Sequence, residues 1–259
     1  MVQVERAVVF AEREGFRALE LDLYHPDASP GQAPIVLYVH GGGWRVSHRS
    51  RAPRETREWS PSFFERLTDA GFVVAASDYR FSDEALFPAQ LDDVLEAVRW
   101  LGEHAGNLGV DPSRLGLWGA SAGGHLAALA ALEPDAPPVN GVVAWYPITD
   151  LLALDQDATD TFEAHLLGGP IGQRTELARR ASPVTYVRAD APPFLLQHGE
   201  ADTWVPCAQS RRLAEALQGA GAMVELQTVP NADHFFEGAP DVEGLFDLAV
   251  RFLHALPAI

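Results

Sequence analysis

The chain has 259 residues, 47% of them hydrophobic and 21% charged, with 36 acidic residues against 19 basic ones and a formal net charge of −17. That balance excludes a disordered or collagen-like chain. It also repels phosphate backbones and anionic lipid surfaces, so neither nucleic acid nor a membrane is expected as the main partner. A single cysteine, Cys207, allows no intrachain disulfide and no cysteine-rich metal site, and it reads as an inert buried thiol. Every basic residue is arginine. The length suits one α/β domain over residues 1–259. The opening stretch MVQVERAVVFAERE meets charge before any apolar run long enough for a signal peptide, and no apolar run has membrane-spanning length. A cytoplasmic protein is the expectation.

Residues 8–10 and 18–24 flank Gly15 and predict two antiparallel strands. Residues 26–34 are rich in Pro, Gly and Ser and predict a turn region. The run IVLYVH at 35–40 is continuously apolar, as a strand buried on both faces requires. Ser60 and Pro61 predict a helix start, with Gly71 as its stop. FVVAAS at 72–77 is a second buried strand. From 87 to 104 the residues Leu91, Val94, Leu95, Val98 and Leu101 recur at helical spacing. Strands are then expected at 115–118, 141–146, 194–198 and 224–229. Helices are expected at 122–132, 209–217 and 242–256. Strands alternating with helices imply a mostly parallel central sheet with helices on both faces. The stretch 150–182 breaks the rhythm with Asp155, Asp157, Asp160 and the triplet Gly168-Gly169-Pro170, and is expected to be a short inserted lid.

Gly119-Ala120-Ser121-Ala122-Gly123 follows a predicted strand and precedes a predicted helix, the context of a nucleophile elbow. Small residues around Ser121 let strand and helix approach closely while the hydroxyl points outward. The helix start aims its amides and positive dipole end at charge growing beside Ser121. The glycines Gly116, Gly119, Gly123 and Gly124 do not meet the dinucleotide fingerprint, and the next strand ends in Pro147 rather than an acid. His40-Gly41-Gly42-Gly43-Trp44 follows the strand at 35–40, and its glycines leave amides open to a ligand. Those amides, with the N–H of Ala122, are expected to hold an oxyanion. His40 is expected to brace the loop.

A serine nucleophile needs a base, because its hydroxyl is almost undissociated near neutral pH. Nine histidines compete. The order serine, acid, histidine that accompanies this elbow favours His234, after the last strand, over His198 and over His254 inside the final helix. The acid is expected just beyond the strand at 194–198, where Glu200 and Asp202 stand. Asp202 is preferred and Glu200 reads as a solvated charge. Asp233, adjacent to His234, would point elsewhere.

These residues resemble the α/β-hydrolase family, more narrowly its hormone-sensitive-lipase-like esterases and the related small feruloyl- and acetyl-esterase-like proteins. The likeness runs from about residue 21 to the end. It rests on HGGGW at 40–44, DYR at 78–80, FPAQLDDV at 87–94, GASAG at 119–123, SPVTYV at 182–187 and PPFLLQHGEADTWVP at 192–206. It implies an α/β-hydrolase fold with Ser121 as nucleophile, His234 as base and Asp202 as acid. It also implies an oxyanion hole from Gly42, Gly43 and Ala122. The chain departs from the pattern in three places. Ser82-Asp83 stand where a proline usually follows DYR, HGGGW begins at residue 40 without a long N-terminal cap, and His234 is followed by Phe235-Phe236 rather than Gly-Phe.

The expected activity is hydrolysis of short-chain acyl esters by a serine carboxylesterase, with no cofactor and no metal. The alternatives are the same triad acting as an aryl-formamidase or on feruloyl or acetyl sugar esters, or a non-catalytic hydrolase-fold receptor. The expected partner is a small-molecule ester, with a homodimer left open. Trp44, Trp204 and Phe235 are expected to line the substrate pocket, with Trp44 shortening its acyl side. Arg45, Arg49, Arg51, Arg54 and Arg57, with His48, form a basic cluster that reads first as a solvated loop paired to surface carboxylates. Its second reading is a receiver for an acidic or sugar-bearing leaving group. Arg80 and Asp93 are expected to form a structural ion pair.

Overall fold

In β3 (Ala33–Val39), Ile35, Leu37 and Val39 pack into one hydrophobic core while Val36 and Tyr38 pack into another, and all five are buried. A strand with apolar residues at every position must lie between two layers. The computed structural model, which describes residues 2–27 and 31–259, shows how those layers arise. Residues 28–30 of the expected turn region, and Met1, lie outside the described residues.

The strands are β1 (Gln3–Ala11), β2 (Leu19–His25), β3, β4 (Val73–Ser77), β5 (Val110–Ala120), β6 (Gly141–Trp145), β7 (Phe194–Gly199) and β8 (Val224–Val229). They form one eight-stranded sheet in the order β1-β2-β4-β3-β5-β6-β7-β8. β2 runs antiparallel to both its neighbours, and the pairs from β4 to β8 are parallel. The helices are α1 (Phe63–Asp69), α2 (Ala89–Leu108), α3 (Ala122–Leu132), α4 (Phe162–Leu167), α5 (Thr175–Arg180), α6 (Ala208–Ala220) and α7 (Val242–Ala255). The buried residues of α1 and α7 share one core, and those of α2, α3 and α6 share the other. This is the α/β-hydrolase fold. Among the described residues no helix is long and apolar enough to cross a membrane.

Several boundaries differ from expectation, three of them at element starts. β1 begins at Gln3, because an exposed edge strand tolerates the polar residues that hid it in the sequence, and its register shifts between Glu5 and Val8. β5 begins at Val110 rather than 115. The first helix is capped by Ser62, not Ser60. Ser62 Oγ accepts from the Glu65 amide and the Glu65 carboxylate accepts from the Ser62 amide, a reciprocal box that fixes the start at Phe63. The stretch 150–182 contains α4, α5 and two single turns, and it buries Leu166, Leu167, Ile171 and Ala178 against the α3 side of the sheet.

Arg80 and Asp93 pair as expected. Arg80 Nε and Nη2 donate to the two Asp93 oxygens at 2.8 Å each, and the Arg80 amide adds a third bond at 2.9 Å. The Asp93 side chain is fully buried. Removing one partner of such a pair strands a buried charge and costs roughly 3–5 kcal/mol. Arg80→Ala is therefore expected to lower Tm by several degrees, as thermal denaturation would read.

Candidate active site

Ser121 sits at the junction of β5 and α3 with φ 55° and ψ −122°, a conformation that a side-chain-bearing residue adopts only when its surroundings impose it. The Ser121 amide donates to Trp145 O at 2.8 Å, and Ser121 O accepts from the His125 amide at 2.9 Å, so neighbours hold the backbone on both sides. Close approach explains the flanking glycine. A Cβ on Gly123 would lie 2.0 Å from Val39 O, so α3 could not seat against β3 with any other residue there.

The glycine loop runs alongside. Gly42 takes φ +117°, and a Cβ on it would meet Val46 O at 2.0 Å. Among the described residues, no backbone acceptor takes the amides of Gly42, Gly43 or Ala122. Two buried histidines brace this loop. His40 Nδ1 donates to Gly41 O at 2.7 Å and its ring stacks on Tyr79, whose hydroxyl donates to His40 O at 3.0 Å. His125 Nε2 donates to Ala181 O at 2.6 Å and its Nδ1 accepts from Trp44 Nε1 at 3.2 Å. Burial pushes both imidazoles down to about 4, which keeps them neutral and able to act in this donor–acceptor sense.

Trp44 borders the cavity over Ser121 as expected, but it is wholly buried and its indole packs edge-on against His125, so its ring does not form the acyl wall. A large aromatic with a satisfied N–H is core, and here it anchors the glycine loop to α3. The ring beside the loop is instead Phe162, at the start of α4. A Cβ on Gly43 would stand 2.3 Å from its Cδ1.

His234 follows β8. Its Nε2 lies 3.3 Å from Ser121 Oγ and its Nδ1 lies 2.7 Å from Asp202 Oδ2. Asp202 is buried beyond β7 and its Oδ1 accepts the amides of Trp204 and Val205 at 2.9 and 2.8 Å. Its Oδ2 also lies 3.2 Å from Nε2 of the fully buried His198. Burial by itself would raise this carboxyl. The hydrogen bonds from His198 and His234, the charge of His234 and the Val205 amide outweigh it and hold Asp202 well below the usual carboxylate range. Asp233 turns away, accepting the amides of Thr203 and His234. Glu200 is half-exposed and bonds Thr228 and Arg211.

A cavity of about 630 Å³ opens over Ser121 and His234. Trp204, 61% exposed, lies parallel to the His234 ring at 5.5 Å, and Phe235 packs against His234 at 4.3 Å; both line the cavity. So do Phe162, Tyr146 and Arg51, Arg54 and Arg57. The basic cluster is thus divided. Arg45 pairs with the exposed Asp83, and Arg49 is buried among Glu20, Asp22 and Asp78. The other three face the cavity, where the paired-surface reading does not apply.

Glu55 escaped the sequence reading because it lies between arginines in an apparently solvated loop. The Tyr146 hydroxyl donates to its Oε1 at 2.7 Å, while its Oε2 is buried with no hydrogen-bond partner among the described residues. Burial pushes this carboxyl from 4.5 up to about 7, against the Tyr146 bond and the charges of Arg57 and Arg54. A carboxyl raised on folding stabilises the fold at acid pH, and that contribution is lost as pH rises through about 7. The shift is worth about 3 kcal/mol at 1.36 kcal/mol per unit. Glu55→Gln is therefore expected to raise Tm by several degrees at pH 8 and to bring the two proteins together near pH 5; equal Tm values at both pH values would remove the buried-acid account.

Residues 21–217 match the model of the BD-FAE family, three quarters of the chain. The chain belongs to the BD-FAE family. Its members are hormone-sensitive-lipase-like α/β-hydrolase esterases. This BD-FAE chain is 33% identical over 245 residues to the esterase LipQ of Mycobacterium tuberculosis, an alignment covering 88% of this chain and 56% of LipQ. It thus spans little more than half of that relative. Among solved structures it is similar to a truncated carbohydrate esterase from gut microbiota, with TM-score 0.83 and 27% identity over 97% of this chain and 95% of the other. A propionate-bound esterase from Thermogutta terrifontis matches with TM-score 0.79 and 27% identity over 98% and 93% of the two chains. That esterase also appears in forms phosphorylated by paraoxon and phosphonylated by sarin.

Proposed function

We propose that this chain is a serine carboxylesterase that hydrolyses short-chain acyl esters through an acyl-enzyme, with residues 1–259 as one catalytic domain and 150–182 as its lid. The reading is carried by one observation: Ser121 Oγ stands 3.3 Å from His234 Nε2, whose Nδ1 is held at 2.7 Å by Asp202. Ser121 Oγ attacks the ester carbonyl carbon as its proton passes to His234 Nε2. Asp202 fixes the imidazole tautomer and stabilises the imidazolium. The amides of Gly42, Gly43 and Ala122 hold the oxyanion. The tetrahedral intermediate then collapses, breaking the bond to the alcohol oxygen, which leaves with the proton from His234. Water, deprotonated by His234, attacks the acyl-enzyme and releases acid and Ser121. Trp204 and Phe235 flank the reacting atoms as substrate-binding surface. The neighbouring esterases that carry organophosphorus groups support a serine nucleophile on this fold.

Acyl length follows from Phe162. Each methylene gains about 0.8 kcal/mol only while it finds apolar surface to bury against, and Phe162 closes the cavity beside Gly43. On a series of nitrophenyl esters, kcat/KM is expected to peak between acetyl and butyryl and to fall steeply beyond about hexanoyl. Phe162→Ala is expected to move the peak to longer chains. A wild-type maximum at decanoyl or beyond would sink this wall. The same plate, with aryl-formamide, feruloyl and acetyl-sugar substrates beside the esters, tests the activity: ester turnover abolished by a serine-directed phosphonate that labels Ser121 is the expected result.

A further inference from the structure

In a protein carrying −17 of charge, arginines are expected to find carboxylates, and Arg45, Arg49 and Arg80 do. Arg51, Arg54 and Arg57 do not: among the described residues none has an ion-pair partner, and all three are exposed along one wall of the cavity over Ser121. Arg54 lies over the Phe235 ring with its Cζ 4.9 Å from the centroid, and Phe235 packs against His234. That places a cation one side chain away from the reacting atoms. Two carboxyls border this region, and among the described residues neither makes an ion pair with these arginines. Glu55 is turned inward onto Tyr146 with its Oε2 buried, and its raised pKa of about 7 leaves it only half ionised at neutral pH and uncharged in mild acid. Glu163 is on the lid wall, beside Phe162 and Trp204.

Resting on the esterase reading above, we propose that Arg51, Arg54 and Arg57 form an anion subsite, so that the preferred substrate is an ester bearing a second, negatively charged group such as a carboxylate. Three guanidiniums with unused donors suit planar carboxylate recognition. Cleavage itself is unchanged: the anion is held, not transformed. Because the guanidiniums are exposed, each contributes modestly and their sum is the measurable quantity.

The test uses two matched pairs of substrates with the full chain. Mono-4-nitrophenyl succinate against 4-nitrophenyl butyrate puts the charge on the acyl side. 4-Acetoxybenzoate against its methyl ester puts it on the alcohol side. The readout is the ratio of kcat/KM within a pair, which cancels differences in active fraction. Wild type is expected to favour the charged member of one pair, which identifies the side. That ratio is expected to fall about tenfold in R51Q/R54Q/R57Q and about threefold in Arg54→Gln, and to shrink as salt screens the subsite. Arg251→Gln, on the distant α7, is expected to leave the ratio alone. Calorimetric binding of 4-acetoxybenzoate and of the mono-4-nitrophenyl succinate to Ser121→Ala, with and without the three arginines, reads the subsite without turnover. Ratios and binding both indifferent to the three arginines would overturn the proposal. Ser121-independent turnover would overturn the esterase reading instead, and the binding measurement would still decide the subsite.

Discussion

Ser121→Ala is expected to lower kcat for a short-chain ester by about 10⁴- to 10⁶-fold, leaving only the contribution of oxyanion donors and substrate binding. The size follows from the arrangement. His234 Nε2 faces Ser121 Oγ at 3.3 Å, and no other hydroxyl approaches that nitrogen among the described residues. Removing the hydroxyl leaves the base with only water to deprotonate, and no acyl-enzyme can form. The substitution itself is mild for the fold: the elbow's backbone bonds to Trp145 and His125 use main-chain atoms that alanine keeps. Circular dichroism and Tm should therefore match wild type while activity vanishes. A folded variant retaining more than about a tenth of wild-type kcat would require a different nucleophile.

Asp202→Asn is expected to cost about 10⁴-fold in kcat, against less than twofold for Glu200→Gln. Asp202 Oδ1 already accepts the amides of Trp204 and Val205. An asparagine must keep its oxygen there, because turning its NH₂ toward two N–H donors would oppose donor to donor. Its Nδ2 then faces His234 Nδ1 and donates to it, which moves the imidazole proton to Nε2. In that tautomer Nε2 cannot accept from Ser121. Among the described residues the Glu200 side chain bonds Thr228 and Arg211 at the exposed rim and not His234, so neutralising it leaves His234 untouched. Comparable losses in the two variants would reverse the assignment of the acid. Normal activity in Asp202→Asn would show that His234 is not held through Nδ1.

The parts of this protein that were legible in its sequence are those set by local rules. A strand buried on both faces is a continuous apolar run, so β3, β4, β6 and β7 were readable, and with them the parallel sheet. The elbow is a five-residue pattern whose glycines are demanded by contacts across one turn, and the partners of Ser121 follow from chain order once the elbow is placed. Boundaries slipped where the deciding contact was one residue away from the obvious signal, as with Ser62 rather than Ser60, or where an edge strand admitted polar residues, as in β1.

What local rules could not reach is which side chains converge on the cavity. Trp44 stands next to the glycine loop in sequence, yet its ring turns into the core because His125, on α3, offers its N–H an acceptor there. Phe162 takes the place beside Gly43 only because the stretch 150–182 folds back over the glycine loop. One basic run is split three ways, Arg45 to the surface, Arg49 into a buried cage and Arg51, Arg54 and Arg57 to the cavity, since their neighbours come from β2, from the loop after β4 and from the His234 loop. Glu55 acquires its burial from Tyr146 at the far end of β6. Desolvation and pairing depend on what packs against a group, and here those neighbours are brought in from across the sheet, so their effect on charge emerges only when the chain is folded.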